Sequence, residues 1–429
     1  MLISFHVENF RSIRDQVELS LIAANDRALR ENVIESKKGS KLSLLRSAVI
    51  YGPNASGKSN VLRAIRFMAG FVYSSATGKP NAPIGVSVHK LDKKYLKKPS
   101  RFALMFLSEG VRFSYSFSVN AKQVIEESLS YYPVGQERRL FDRTFNKKTG
   151  ETDYYFGPSW EGPKKQLQEL TRPNALLLSV GAQFNHEQCK QVYSWFSEKL
   201  RSVSWFPTQG SEKFFTCESA HSNEAMKHEL LKFWKQADPG IADFSVEKMT
   251  FEKTPSLSKL PDALRRELIK SMPEDAFDFD VKTTHSAPGL QADFTFDEES
   301  HGTQKMFALA GPWLYALAHG CILIVDELDA RLHPLLTRWL IDLFHNKKTN
   351  KSGAQLIFAT HDTNLLDRRE QNPHFRRDQI WFTEKDERGG TRLYSLWDFE
   401  KPPRKDENIR LGYLAGRYDA IPFTESLSQ

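Results

Sequence analysis

Cysteine is scarce: three residues in 429, Cys189, Cys217 and Cys321, with no CxxC spacing and no even pairing. That excludes a disulfide scaffold and a zinc ribbon and points to a reducing compartment, so a cytoplasmic location is expected. The opening Met1-Leu-Ile-Ser-Phe-His-Val-Glu lacks the basic-then-apolar layout of a secretory signal. Long uninterrupted apolar runs are missing too. Phe307 to Val325 contains no Asp, Glu, Lys or Arg, but Gly311-Pro312 and His319-Gly320 cut it and Asp326-Glu327 follows. It predicts a buried helix, a glycine turn and a buried strand rather than a membrane span. There is no internal repeat, and nothing between Ser59 and Ser300 sustains heptads, which excludes a long coiled-coil arm.

Charge of one sign is equally limited. Sixty basic against 53 acidic residues leave +7, dispersed in pairs such as Lys93-Lys94 and Lys147-Lys148. A tilt that small permits contact with nucleic acid without requiring it. What is plentiful is apolar and aromatic material, 40% and 12% of the chain, enough for a large core in two or three domains or in one domain with insertions.

Leu2 to Phe10 and Gln16 to Ile22 alternate apolar and polar residues, as antiparallel strands with one wet face do. Ala48-Val-Ile-Tyr51 reads as a buried strand feeding a glycine-rich loop, with a helix from Lys58 to Met68 behind it. Residues 101–119 read as a hairpin through Ser108-Glu-Gly110. Residues 175–200 and 224–236 look helical, and 250–295 give no clear pattern. Helix 303–318, strand 321–325, helix 334–346 and strand 355–360 alternate as in a parallel sheet, and 379–396 form a closing hairpin. The expected fold is α/β: a mixed, largely parallel core sheet, an antiparallel β subdomain and an inserted helical lobe. Residues 1–70 and 296–429 would build the core around an insertion at 71–295.

Four motifs carry chemistry. Gly52-Pro-Asn-Ala-Ser-Gly57-Lys58-Ser59 fits the phosphate-loop pattern in full. Its glycines turn backbone N–H groups inward, Lys58 should reach the β- and γ-phosphates, and the Ser59 hydroxyl should ligate Mg²⁺. Cys321-Ile-Leu-Ile-Val-Asp326-Glu327 reads as a Walker B strand end, with Asp326 on the metal and Glu327 as the base that activates the attacking water. Ser300-His-Gly302-Thr-Gln304 opens a helix and makes an anion site suited to a γ-phosphate held by another subunit. Thr360-His361-Asp362 ends the next strand, where His361 would sense the γ-phosphate. Asp329, in the loop Leu328 to Pro334, is expected at the seam between subunits. Nucleotide contacts are expected from Asn54, Gly57, Lys58, Ser59, Asn60, Ser300, Gly302, Gln304 and Asp329, and Gln183 is a candidate lining glutamine. The nucleotide is taken as ATP, although no short motif separates it from GTP.

With Glu8-Asn-Phe-Arg-Ser-Ile13 at the start and Arg404 to Tyr418 at the end, these motifs make the chain similar to the stand-alone ABC-type ATPases related to RecF, OLD and SMC heads. The nearest group on that resemblance is the AbiL- and PtuA-like ATPases of antiphage and abortive-infection systems. The resemblance implies two heads sandwiching two ATP molecules, a homodimer or higher even-numbered assembly, and a nuclease or toxin partner. The alternative it leaves open is a RecF- or SMC-like repair ATPase that clamps DNA directly. Glu299 and Thr303 depart from the transporter spelling of the signature, which weakens a transporter reading, and no nuclease site of its own is evident.

Overall fold

In a computed structural model the described residues are 1–35, 42–203, 211–254, 257, 260–273, 275–367, 374–399 and 407–422. Of the family-like tail, 404–406 lie outside them, as does the basic pair Arg368-Arg369. They divide into two compact units, Met1–Ser202 with Leu317–Leu328 and Ile341–Gln429, and Val203–Ala316 with Asp329–Leu340.

In the first unit the alternating N-terminal segments become Leu2–Glu8 (β1) and Val17–Ser20 (β2). The short pair Val33–Ile34 (β3) and Leu44–Leu45 (β4) follows. β1 and β2 are joined by Ser100–Ser108 (β6), Val111–Val119 (β7), Val124–Tyr132 (β8), Arg138–Phe145 (β9) and Thr152–Phe156 (β10). The sheet order is β10-β9-β8-β7-β6-β1-β2, antiparallel throughout. β6 and β7 meet at a two-residue turn in which Glu109 (φ 50°) and Gly110 (φ 83°) are both left-handed, the geometry that matches strand twist. Because β6 pairs with β1, residues 71–202 share the unit of the phosphate loop, whereas the sequence grouped them with 203–295.

Ser47–Tyr51 (β5) has no polar alternation and is buried along its whole length, as a central strand covered on both faces must be. Its sheet runs in the order Leu200–Ser202 (β11), Ile322–Val325 (β15), Gln355–Ala359 (β16), β5, Ile380–Lys385 (β17), Thr391–Ser395 (β18). The first five are parallel and β18 returns antiparallel. The register pairs Val325 with Phe358 and Ala359 with Ile50, so β15, β16 and β5 end at one level. Everything that follows them emerges from one edge.

Lys58–Ser74 (α1) buries Val61, Leu62, Ile65 and Met68. On the antiparallel sheet it sets Phe67 4.9 Å from Phe102 and Phe71 5.5 Å from Phe117. Each such ring pair adds about 0.5–1.5 kcal/mol beyond its buried area. Lys164–Leu170 (α2), Leu177–Gln183 (α3) and Glu187–Lys199 (α4) follow, so the helix expected over 175–200 is broken at Phe184 to His186.

A buried Ser47 Oγ lies 2.8 Å from Nε2 of the buried His345. Burial pushes this imidazole down to about 3. An unfolded chain takes up that proton near pH 6.5, so between the two values the unfolded state binds more protons. Stability therefore falls as the pH falls across that window, by up to about 1.4 kcal/mol per unit. Denaturant unfolding from about pH 7 to pH 5 should show His345→Gln losing less stability than wild type; equal slopes would contradict a buried neutral His345.

The second unit holds Ser211–Ser222 (α5), Glu224–Trp234 (α6) and Asp262–Ser271 (α7). It also contains a meander of Ile241–Thr250 (β12), Phe277–Ala287 (β13) and Leu290–Thr295 (β14). β14 is exposed at every residue, so 290–295 carry no buried face for a period to mark. The core here gathers Trp234, Phe244, Phe296 and Phe307, with Trp234 and Phe307 4.5 Å apart. The Trp234 indole N–H donates to the Thr303 carbonyl at 2.8 Å and so ties that core to the signature. His301–His319 (α8) and Pro334–His345 (α9) begin in this unit and end in the first, and Ile409–Leu414 (α10) closes the described helices. No described helix is long and apolar enough to cross a membrane.

Candidate nucleotide-binding site

The loop from Gly52 to Gly57 turns on left-handed residues: Gly52 (φ 149°), Ala55 (φ 64°) and Gly57 (φ 118°). It delivers the chain into α1 with no side-chain cap, so the helix dipole favours an anion there while Asn60 N–H donates to the Gly57 carbonyl at 2.9 Å. Lys58 is buried and its ammonium donates to the carbonyls of Gly52 (2.7 Å) and Pro53 (3.0 Å), so the cation sits over the cradle. Asn54 is exposed, Ser59 half-buried in the first turn, and the Asn60 amide donates to Ser12 Oγ at 2.7 Å.

Both glycines are required by close approach. A Cβ at Gly52 would stand 2.4 Å from the Thr383 carbonyl, and one at Gly57 would stand 2.2 Å from Thr391 Oγ1. The closing hairpin thus presses on the loop. Thr383 donates to the Tyr51 carbonyl (3.2 Å) and its Oγ1 is 2.6 Å from Ser56 Oγ; Thr391 donates to the Ser56 carbonyl (2.8 Å). Thr391 Oγ1 also lies 2.8 Å from Ser12 Oγ.

The hairpin is positioned by the N-terminal motif. Asn9, fully buried, donates to the Tyr95 and Lys98 carbonyls, and Thr391 N–H donates to the Ser12 carbonyl. Arg14 reaches Asp386 at 2.8 Å. Burial opposes the Asp386 charge, but the N–H groups of Gly390 and Arg388 together with Arg14 hold its carboxyl below the usual range. Tyr413 of α10 packs on Tyr51 and Phe382, its phenol pushed up by burial and donating to the Ala420 carbonyl at 3.0 Å. Ser12, Thr383, Thr391 and Tyr413 were not singled out from sequence. The spelling of residues 8–13, the position of the hairpin and the family-like tail through Tyr418 hinted at them.

Asp326 and Glu327 leave β15 beside the level where β16 releases Thr360-His361 and β5 releases the phosphate loop. Glu327 adopts φ 52°, a conformation uncommon outside glycine that marks functional turns. The turn is fixed by Leu328 N–H donating to the Ala359 carbonyl (3.1 Å). Tyr51 OH donates to the Asp362 carbonyl at 3.1 Å, tying the phosphate-loop strand to the switch loop, while His361 is exposed.

Asp326 Oδ1 is buried without a hydrogen-bond partner. A carboxylate oxygen in that condition, with a serine hydroxyl at Ser59 as the other donor, fits a hard divalent cation such as Mg²⁺. Asp326 and Ser59 would hold it, and it would neutralise phosphate charge there.

In the second unit Ser300 caps α8: its Oγ accepts from Thr303 N–H (3.1 Å) and remains exposed. A Cβ on Gly302 would meet the Arg331 carbonyl at 3.0 Å, and Lys305 donates to the Ala330 carbonyl at 2.7 Å. The signature helix therefore holds the Asp329 loop. Gln304 turns its amide back onto the carbonyls of Phe296 and Glu299. Gln183 is exposed at the end of α3 and makes no hydrogen bond to the phosphate loop among the described residues.

No curated protein matches the chain. Among solved structures it is similar to an SMC head bound to the C-winged helix domain of ScpA, with 13% identity, TM-score 0.41, and 92% of this chain and 97% of that one covered. It is also similar to the SMC head domain from Thermotoga maritima, with 12% identity, TM-score 0.40, and 92% and 98% covered. Both likenesses are distant. A family profile matches residues 47–166 and 211–367, more than half of the chain and inclusive of all four motifs, so the protein belongs to the family described as "AAA domain, putative AbiEii toxin, Type IV TA system".

Proposed function

We propose that the chain binds and hydrolyses ATP at a seam between two copies of itself, and that this cycle restrains or releases a nuclease or toxin partner in antiphage defence. One observation carries the reading. The phosphate loop, the unpartnered Asp326 carboxylate oxygen, the left-handed Glu327 and the Thr360-His361 end all leave one edge of one parallel sheet. Such an edge is where α/β sheets bind ligands.

Lys58 and the first-turn N–H groups of α1 grip the phosphates, and Asp326 and Ser59 hold Mg²⁺. Glu327 takes the proton of the attacking water as it approaches the γ-phosphorus. His361 stabilises the charge that develops on the transferred group. Ser300, exposed just before α8, and the N–H of the half-buried Gly302 complete the partner's site. The family description, which names a putative toxin of a TA system, supports a link to toxin control. The direct DNA-clamp alternative loses part of its basic surface, since Lys98, Arg101 and Arg139 are paired with Glu8, Glu126 and Asp142.

The seam is tested by mixing. Lys58→Ala and Ser300→Arg should each be inactive alone. Mixed in equal amounts they should recover up to about a quarter of the wild-type rate, because half of the dimers are mixed and each holds one intact site. No recovery, or a wild-type turnover per chain that is independent of dilution, would remove the shared site.

A further inference from the structure

Asp238, His285 and Glu299 converge in the second unit, at the entry of the signature, with one potential ligand atom from each all within 4.8 Å of one another. Three segments bring them there. Asp238 lies in the turn between α6 and β12, His285 sits at the bulge where β13 pairs with the start of β12, and Glu299 directly precedes the signature serine. Gly240 stands at the point of convergence: a Cβ on it would come 3.1 Å from Asp238 Oδ1 and 3.3 Å from His285 Nδ1.

Glu299 supplies a second observation. Its side chain is 6% exposed, yet only Oε1 is engaged, by the His285 ring at 2.8 Å and by the Thr283 hydroxyl. Oε2 takes no hydrogen bond among the described residues. Oε2 keeps contact with solvent, so its lone pairs stay open to a cation. Asp238 spends Oδ1 on the Gly240 N–H. Two carboxylates thus face one imidazole.

We infer that Asp238, His285 and Glu299 form a binding site for a first-row divalent transition ion of the zinc type, which fastens β12–β13 to the entry of the signature helix. One imidazole nitrogen and two carboxylate oxygens suit Zn²⁺ and discriminate against Mg²⁺ and Ca²⁺, which prefer all-oxygen shells. Ligand atoms around tetrahedral zinc stand about 3.3 Å apart, so the three groups, now within 4.8 Å of one another, would have to draw in around the ion. The His285 Nε2 proton leaves to solvent as the metal takes its place. The ion is distinct from the one at Asp326 and Ser59. Its consequence for turnover rests on reading Ser300 as the signature serine, but its existence does not.

The test therefore reads binding, not ATP turnover. Full-length, chelator-treated protein is titrated with Zn²⁺ alone by calorimetry, and with Co²⁺ followed by visible absorption. Wild type should bind one Zn²⁺ with an affinity at least tenfold above that of Asp238→Asn and His285→Gln, and should give the cobalt spectrum of a four- or five-coordinate site, absent in both variants. Asp238→Asn keeps an oxygen for the Gly240 N–H and His285→Gln keeps a donor to Glu299, so both should melt like metal-free wild type. Zinc binding equal in wild type and both variants, or no cobalt spectrum, would overturn the site, whatever the state of the ATPase.

Discussion

Glu327→Gln is expected to lower ATP turnover by about 10²–10⁴-fold, the usual range for a positioned general base, while leaving nucleotide binding intact. Glutamine matches glutamate in volume and faces the same left-handed backbone at φ 52°, so the Leu328-to-Ala359 hydrogen bond that fixes the turn is retained. What is lost is the proton acceptor. Binding without hydrolysis should then accumulate the ATP-held dimer, seen as a shift in mass by light scattering that requires ATP and Mg²⁺. Turnover at the wild-type rate would show that another group activates the water. Loss of nucleotide binding would show that Glu327 is needed to shape the site, not to deprotonate water.

Gly57→Ala should be nearly as damaging, for a reason that has no counterpart in chemistry. The new Cβ would stand 2.2 Å from Thr391 Oγ1 and 2.6 Å from Thr391 Cγ2, at a backbone φ of 118°. Thr391 is short, β-branched and held by the Ser56 carbonyl, so it has little room to yield. A side chain forced into such a conformation costs about 1–3 kcal/mol before the clash is counted. ATP affinity, read by fluorescence of a labelled nucleotide, should fall at least about tenfold, with a lower melting temperature. Gly85→Ala is the control, since nothing lies within 4 Å of its added Cβ. Equal behaviour of the two variants would mean that the hairpin does not press on the loop.

The parts of this site that could be read along the chain are those whose chemistry is local. The phosphate loop, the acidic pair after an apolar strand, the histidine after the next strand and the serine before a helix are each a few consecutive residues, and the strands and helices that carry them have clear periods. Their meeting at one sheet edge followed from the βαβ alternation, because parallel connections place successive strand ends on the same side. The last strand of the meander, 290–295, was not legible, since a fully exposed strand shows no alternation.

Sequence by itself thus determined which groups can grip and cleave a phosphate. Tertiary structure alone decided how that grip is held. Ser12 and Thr391 are 379 residues apart, and Ser56 and Thr383 are 327 apart. A threonine on a hairpin gives no sign of the glycine it will press upon. Likewise, it is the pairing of β1 with β6 that brings strands 100–156 into the unit of the phosphate loop, not any change in composition. Both outcomes have the same cause: side-chain type and spacing act over a few residues, whereas close approach is settled only when distant strands find their register.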